Sequence, residues 1–174
     1  ILYRLVGSEM CIRDSLCWAA HAAMYHHFGV NRTIRENKLF GVFEHQVYRP
    51  FDELVRGFDS RFWAPHSRYG QIAPEIYEAS HGLNVLAGSE QVGAYLVTSM
   101  DKRIVFLTGH PEYDADTLKQ EYERDVSSGL DTSVPAHYYV DDDPAKAPIM
   151  SWRAHGSLLF LSLIHISEPT RRYR

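Results

Sequence analysis

The sequence predicts an α/β fold with a reactive site at the carboxyl edge of its sheet. The first observation is residues 105–114, which read V-F-L-T-G-H-P-E-Y-D. Their apolar run stops at Gly109, and His110 and Glu112 follow with one proline between them, so we predict a buried strand that ends in a turn. The second is L-C-W-A-A-H-A-A, in which Cys17 precedes a predicted helix. Because open α/β sheets bind ligands at the carboxyl ends of strands, the imidazole and the carboxylate lie where chemistry is expected.

The first element is a helix that begins just after Cys17. Small, aromatic and histidine residues continue to Phe28, and Gly29 follows where a C-cap would lie. A thiol at a helix N-terminus gains stabilisation of its thiolate from the helix dipole, which makes it a better nucleophile. An isolated cysteine is more often buried and inert. The His-x-Glu pair downstream favours a nucleophile here, since a carboxylate can hold a histidine in one tautomer and keep it basic.

The middle of the chain predicts strands separated by glycines. The segments with strand composition are residues 41–47, 83–87, 94–98 and 104–107. Residues 64–69 (A-P-H-S-R-Y) are polar and have a proline near their start, which predicts a loop. By pattern alone, Lys38 is a solvated surface charge and Ser67 is a turn hydroxyl.

A second helix is predicted after the central stretch. Asp114 is a suitable N-cap, and Gly129 would end the helix. The members of its apolar face are Ala115, Leu118, Tyr122 and Val126. Arg124 lies on the opposite side and is a solvated arginine by periodicity. Residues 131–148 are loop-like, and residues 152–160 predict a final helix with an apolar C-terminal end.

Composition limits the classes of partner. The chain has 174 residues, of which 45% are hydrophobic and 23% charged, as in a soluble globular domain. A net charge of −4 without a basic stripe argues against nucleic acid, and no apolar run is long enough to span a membrane. Two cysteines argue for a reducing compartment, and we expect a cytoplasmic protein. The histidines lack H-E-x-x-H spacing and no C-x-x-C is present, so we expect no metal.

The two ends of the chain share one DNA origin. Residues 5–15 read L-V-G-S-E-M-C-I-R-D-S, and residues 161–171 read L-S-L-I-H-I-S-E-P-T-R. A single DNA segment translated on its two strands encodes both, as a transposase-type library adapter would. We therefore expect residues 1–15 and 161–174 to be non-native, so that the native fold is specified by residues 16–160. Cys11 is then excluded, and Cys17 is the one cysteine of the remaining core.

Five blocks in residues 16–160 resemble the homoserine O-succinyltransferase family, an acyltransferase family of methionine biosynthesis. They read C-W-A-A-H-A-A-M-Y-H-H-F-G-V, E-N-K-L-F-G-V-F-E-H, F-W-A-P-H-S-R-Y, R-I-V-F-L-T-G-H-P-E-Y-D and S-W-R-A-H-G-S-L-L-F. The resemblance implies the C-terminal part of such an enzyme. It also implies a fold similar to class I glutamine amidotransferases, with a mostly parallel sheet flanked by helices and with the N-terminal strands missing here. His21 departs from the family, in which glutamine is common.

The resemblance also implies roles for individual residues. Cys17 would be the nucleophile that accepts the acyl group, His110 the general base and Glu112 the residue that orients it. The residues at substrate-binding positions would be Lys38, Ser67 and Arg124. The expected reaction transfers succinyl from succinyl-CoA to L-homoserine through a thioester on the cysteine, without a further cofactor. A homodimer is compatible with the family for the full-length parent.

Two other functions remain open at this point. Acetyl-CoA could replace succinyl-CoA as the donor, because some members of the family use it and the informative N-terminal region is absent. A glutamine amidotransferase-like hydrolase would share the Cys and His-x-Glu set, but the H-S-R-Y and E-N-K-L-F-G blocks argue against it. We expect the chain alone to be inactive, since the upstream strands that lead into Cys17 would be missing.

Overall fold

A computed structural model of the chain describes residues 13–167. Cys11 and the outer parts of the two adapter-like segments lie outside the described residues. The elements are β1 (Arg13–Leu16), α1 (Trp18–Phe28), β2 (Thr33–Val47), β3 (Arg61–Gln71), α2 (Pro74–Ala79), β4 (Leu83–Ser89), β5 (Gly93–Ser99), β6 (Ile104–Leu107), α3 (Thr117–Ser127) and α4 (Arg153–Ser167). Short 3₁₀ turns occur at Glu53–Val55 and Val140–Asp142.

The six strands form one mixed sheet in the order β1-β6-β5-β4-β2-β3. Only the β1–β6 pair is parallel among the described strands, whereas the other four pairings are antiparallel. The expectation of a mostly parallel sheet is therefore wrong for the described residues. The reason is the length of the connections: residues 90–92 and 100–103 join β4, β5 and β6, and such short links permit only antiparallel neighbours.

Several predicted elements are confirmed. Helix α1 begins after Cys17 and ends at Gly29, whose left-handed backbone (φ 68°) lets its N–H bond to the carbonyls of Met24 and Tyr25. Strands β4, β5 and β6 contain the three predicted segments. Strand β2 contains residues 41–47 but begins at Thr33, so that Lys38 lies on a strand.

The predicted loop at residues 64–69 is wrong, because these residues lie inside β3. Proline is tolerated there because β3 is at the end of the strand order and pairs only with β2. The Pro65 carbonyl remains available and accepts a 2.9 Å hydrogen bond from the His110 N–H. Through this hydrogen bond, residues 64–69 connect the turn after β6 to the edge strand β3.

Helix α3 begins later than expected. Its N-cap is Asp116, and Asp114 contributes its backbone carbonyl to the Thr117 N–H instead of acting as the cap. The buried face also differs from the predicted one, because Asp125 is buried whereas Val126 is half exposed. Helix α4 confirms the predicted helix at residues 152–160 but continues to Ser167, inside the adapter-like segment.

The core lies on both faces of the sheet. Neighbouring residues of β5 point to opposite faces: Leu96 joins the cluster that contains Leu159 of α4, and Val97 joins the cluster that contains Met24 of α1. Helices therefore cover the sheet from two sides, which confirms the α/β class. Within residues 13–167 no helix is long and apolar enough to cross a membrane.

Candidate active site

The turn after β6 holds an imidazole and a carboxylate in contact. His110 Nδ1 lies 2.7 Å from Glu112 Oε1, and the Tyr113 ring stacks on the imidazole with 4.2 Å between ring centroids. Gly109 is needed for this turn, because a Cβ there would lie 2.8 Å from the Pro65 carbonyl oxygen. Strand β3 can therefore approach closely enough to bind the His110 N–H.

Cys17 lies in a sharp turn between β1 and α1. Its backbone has φ 48° and ψ −113°, a conformation that non-glycine residues rarely adopt outside functional sites. The Cys17 N–H donates to the Leu107 carbonyl at 2.6 Å, so the turn is attached to the end of β6. A strand, a cysteine with strained backbone and a helix in succession resemble the elbow arrangement of α/β hydrolytic enzymes. The half-buried thiol lies at the carboxyl end of β6, within hydrogen-bonding reach of the His110 side chain.

The imidazole of His110 is held in its charged form. Burial alone would lower the pKa of His110, but hydrogen bonds to the Cys17 and Glu112 side chains, together with their charges, raise it to about 9. Because Nδ1 is used by Glu112, Nε2 is the nitrogen that remains for the thiol. The arrangement is therefore a thiol–imidazole–carboxylate series that can form a thiolate–imidazolium pair.

Lys38 is not the solvated charge that its local pattern indicates. Its side chain is 15% exposed, and its Nζ lies 2.8 Å from Glu121 Oε1 and 3.0 Å from Asp125 Oδ2. Hydrogen bonds from Arg124 and then from Lys38 lower the pKa of Asp125. The amine of Lys38 therefore lies between two carboxylates of α3.

Ser67 and Arg124 join the same cluster. The Ser67 hydroxyl donates to Glu121 Oε1 at 2.6 Å, and Arg124 Nη2 lies 2.7 Å from Asp125 Oδ1 and 3.7 Å from Glu121 Oε1. A cavity of about 420 Å³ opens here, lined by Tyr113, Thr117, Gln120, Glu121 and Arg124. Tyr113 is also the residue that stacks on His110, so the cavity adjoins the imidazole. The three predicted substrate residues thus lie in one cluster beside the candidate catalytic residues.

Sequence reasoning missed Glu121, Asp125 and Tyr113. A signal was available for the first two, since residues 121, 124 and 125 are neighbours on a helix at spacings of three and four.

His21 lies one turn after Cys17 and is buried. Its burial, followed by the charges of Arg68 and Arg32, lowers the pKa of His21 to about 4. Among residues 13–167, no group of three or more His, Cys, Asp or Glu side chains could hold a metal ion.

Comparisons with known proteins agree with the resemblance seen in the sequence. The sequence profile of the homoserine O-succinyltransferase family matches residues 8–170. A homoserine O-succinyltransferase of Pseudoalteromonas atlantica is 59% identical over 149 residues, which are 86% of this chain and 48% of that protein. A homoserine O-acetyltransferase of Petrotoga mobilis is 48% identical, over 83% of this chain and 47% of that protein. The chain spans about half the length of the curated relatives it matches.

Solved structures show the fold. A glutamine amidotransferase from Thermotoga maritima superimposes with a TM-score of 0.62 at 13% identity, and covers 89% of this chain and 62% of that one. A glutamine amidotransferase from Methylobacillus flagellatus gives a TM-score of 0.60 at 12% identity, over 92% of this chain and 66% of that one. At this identity the likeness establishes the architecture alone, and it agrees with the amidotransferase-like fold that the sequence predicts.

Proposed function

The chain belongs to the homoserine O-succinyltransferase family, and on that premise we propose that it is the C-terminal half of an enzyme that transfers succinyl from succinyl-CoA to L-homoserine. The reaction would serve methionine biosynthesis and would need no cofactor besides the acyl donor. The observation that carries the proposal is the contact of His110 with both Cys17 and Glu112 at the carboxyl edge of β6.

The first half of the proposed reaction acylates Cys17. The Cys17 thiolate attacks the thioester carbonyl of succinyl-CoA, the bond to the CoA sulfur breaks, and a new thioester forms on Cys17. The His110 imidazolium gives its proton to the departing CoA thiolate and becomes the neutral base that the second half-reaction needs. The Trp18 N–H lies at the start of α1 and is a candidate donor to the oxyanion of the tetrahedral intermediate. The Cys17 N–H is already bonded to Leu107 and is excluded from that role.

The second half transfers the acyl group to homoserine. His110 removes the proton from the homoserine hydroxyl, which attacks the Cys17 thioester and releases the thiolate. The cavity beside His110 supports binding of an amino acid, because it offers charges of both signs. The guanidinium of Arg124 suits the substrate carboxylate, and the Glu121 carboxylate suits its ammonium group. Glu121 extends the set of substrate residues proposed from the sequence, namely Lys38, Ser67 and Arg124.

A covalent adduct tests this proposal directly. We would restore the N-terminal half, mix the enzyme with succinyl-CoA and follow the intact mass. A succinyl adduct is expected on Cys17, and it should disappear in Cys17→Ser. Turnover of Cys17→Ser at the wild-type rate would exclude the thioester mechanism. Parallel reactions with acetyl-CoA address the second candidate donor, which is supported by the acetyltransferase relatives.

We also propose that residues 1–15 and 161–174 are translated adapter sequence. The support is the strand-complementary coding of residues 5–15 and 161–171. Residues 13–15 nevertheless pair with β6, and Asp14 there is exposed at the edge of the described sheet. The family match at residues 8–170 overlaps both segments. Sequencing of the genomic DNA tests the proposal: an in-frame native codon series in place of the adapter would support it, and an unchanged sequence would contradict it.

A further inference from the structure

The Tyr113 ring lies flat against the His110 imidazole. The two ring centroids are 4.2 Å apart and the ring planes differ by 16°, so an aromatic surface covers one face of the imidazole. The other contact within this turn is the hydrogen bond between His110 Nδ1 and Glu112, whose side chain is 39% exposed. That bond fixes the position of Nδ1, whereas the stacked ring fixes the plane of the imidazole. A catalytic side chain needs both to be held in one geometry.

The backbone of Tyr113 is itself held on two sides. Its N–H donates to the His110 carbonyl at 3.3 Å, within the turn. Its carbonyl accepts a 2.9 Å hydrogen bond from Nε1 of Trp152, the residue that precedes α4. Trp152 is 1% exposed and belongs to the cluster of Leu118 and Tyr138, against which Tyr113 packs. Because a buried indole N–H needs an acceptor, this hydrogen bond is a specific connection between the cluster and the turn that carries His110.

The first turn of α4 also approaches the turn after β6 directly. A Cβ at Gly156 would lie 2.7 Å from the Pro111 carbonyl oxygen, so a side chain there would force the two backbones apart. Gly156 lies one helical turn after Trp152, and its N–H donates to the Trp152 carbonyl at 3.0 Å. The S-W-R-A-H-G block of the sequence, which the proposed reaction does not use, therefore contacts the turn that carries His110 at two points.

The titratable groups that face His110 come from three parts of the chain. Cys17, in the turn before α1, and Glu112, in the turn after β6, favour the imidazolium. His66 of β3 is neutral near pH 7, because burial lowers its pKa far below the usual range. The Tyr113 phenol is neutral as well, because burial raises its pKa. The face of a neutral aromatic ring attracts a cation that lies within about 6 Å of its centroid, so the stacked ring favours the imidazolium without adding a charge.

We propose that Tyr113 is a positioning residue of the acyl-transfer site, which fixes the plane of the His110 imidazole and favours its protonated form, and that the start of α4 holds Tyr113 against it. The inference rests on the proposed role of His110 as the general base. It concerns both half-reactions, because the imidazole must keep one orientation while it gives a proton to the CoA thiolate and takes one from homoserine. Tyr113 also lines the cavity proposed for homoserine, so the imidazole and the second substrate share one wall.

Titration of His110 by NMR tests the inference without acyl transfer. The 174-residue chain is prepared with isotope-labelled histidine, and the His110 signal is assigned by its loss in His110→Gln. Tyr113→Leu keeps an apolar cover over the imidazole but no aromatic face, and it should lower the midpoint of the His110 titration by roughly 0.5 to 1 pH unit. Tyr113→Phe keeps the aromatic face and should titrate as the wild type does. A folded Tyr113→Leu chain with the wild-type midpoint would overturn the inference.

A second substitution avoids dependence on the folding of Tyr113→Leu. Pentafluorophenylalanine in place of Tyr113 keeps nearly the shape of a phenylalanine ring but reverses the charge distribution of its face. The midpoint of His110 should therefore be lower in that chain than in Tyr113→Phe. Equal midpoints in these two chains would show that the ring face does not act on the imidazolium, and would overturn the inference.

The contact of α4 with Tyr113 is tested in the enzyme completed with the N-terminal half. Trp152→Phe removes the N–H that binds the Tyr113 carbonyl but keeps an aromatic ring in the cluster. It should lower kcat roughly 10-fold and leave the KM for homoserine little changed, since Tyr113 and α3 line the cavity. Trp63→Phe makes the same change in another indole packed against this cluster and is the control. Equal kcat values for Trp152→Phe and Trp63→Phe would contradict the role of α4.

The titrations also separate the inference from the proposed function. A succinyl adduct on Cys17 of the completed enzyme, together with an unchanged His110 midpoint in the Tyr113 variants, contradicts the role of Tyr113 alone. The expected shifts of the midpoint without an adduct on Cys17 contradict the proposed function instead.

Discussion

The Ser67 hydroxyl donates a 2.6 Å hydrogen bond to Glu121 Oε1, and the same oxygen lies 2.8 Å from Lys38 Nζ. One carboxylate oxygen therefore joins β2, β3 and α3 at the wall of the candidate substrate cavity. Both donors are more than 50 residues away from Glu121 along the chain. Glu121 thus connects β2, β3 and α3, which come together only in the folded protein.

Replacement of Glu121 by glutamine should destabilise this junction. Lys38 keeps Asp125, but it loses its shorter ion pair, and Ser67 loses a charged acceptor. Because the Glu121 side chain is 18% exposed, we expect a loss of about 1–2 kcal/mol in the free energy of unfolding, measured with urea. Glu123→Gln on the same helix is the control, since Glu123 is 62% exposed and lies 4.0 Å from Lys119. An equal loss of unfolding free energy in Glu121→Gln and Glu123→Gln would contradict the role of Glu121 in joining the three elements.

The elements with strong local signals could be predicted from the sequence. Local backbone preferences predict a helix that begins after Cys17 and ends at Gly29, and α1 has those bounds. The apolar run before Gly109 likewise specifies the end of β6. His110 and Glu112 are two residues apart, so their contact needs only the turn between them.

The remaining features depend on distant contacts that local pattern does not contain. Pro65 indicates a loop by itself, but the edge position of β3 lets a proline lie within a strand. Periodicity predicted Val126 on the buried face of α3, whereas Asp125 turns inward because Lys38 pairs with it. The strand directions follow from the connections and their packing, which is why the sheet is mixed.

The stability of the fold should decrease with rising pH through the titration of His110. Its pKa is raised from the model-peptide value of 6.5 to about 9. A raised pKa in the folded state stabilises the protein fully below about pH 6.5, and this contribution disappears as the pH rises through about 9. The contribution is on the order of 3 kcal/mol below pH 6.5.

Urea unfolding of the wild type and of His110→Gln measures this contribution. The difference between their free energies of unfolding should be largest near pH 6 and should become small above pH 9. A difference that stays constant across this range would show that His110 does not titrate with a raised pKa.

Alanine at Gly109 should disturb the contact between β3 and the turn that carries His110. The new Cβ would lie 2.8 Å from the Pro65 carbonyl oxygen and 2.9 Å from the Tyr95 ring, and backbone must move to relieve it. We expect a loss of about 1–3 kcal/mol in stability and slower alkylation of Cys17 at pH 7. In the control, Gly129→Ala, the Cβ has open space but the backbone has φ 71°, so stability should fall with no change in alkylation. A Gly109→Ala chain that retains both properties would contradict the close approach.

Replacement of Arg124 by leucine in the enzyme completed with the N-terminal half should weaken homoserine binding selectively. Arg124 is 66% exposed at the mouth of the cavity, where its Nη2 is paired with Asp125 and remains accessible to a carboxylate. The KM for homoserine should rise roughly 10- to 100-fold, as is typical when a charged hydrogen bond is lost. The rate of Cys17 acylation by the donor should be unchanged, because the side chain pairs with Asp125 and Glu121 of its own helix and lines the cavity proposed for the second substrate.

Arg124→Lys and Lys119→Leu provide the controls for that change. Lysine keeps the charge of Arg124 but not its planar pair of donors, so its KM should lie between those of the wild type and the leucine variant. Lys119, on the same helix, is 43% exposed and lies 4.0 Å from Glu123, so its replacement should leave the KM unchanged. Measurement of the two half-reactions separates the effects: if Arg124→Leu slows acylation as much as transfer to homoserine, then Arg124 acts on the whole site rather than on the substrate carboxylate.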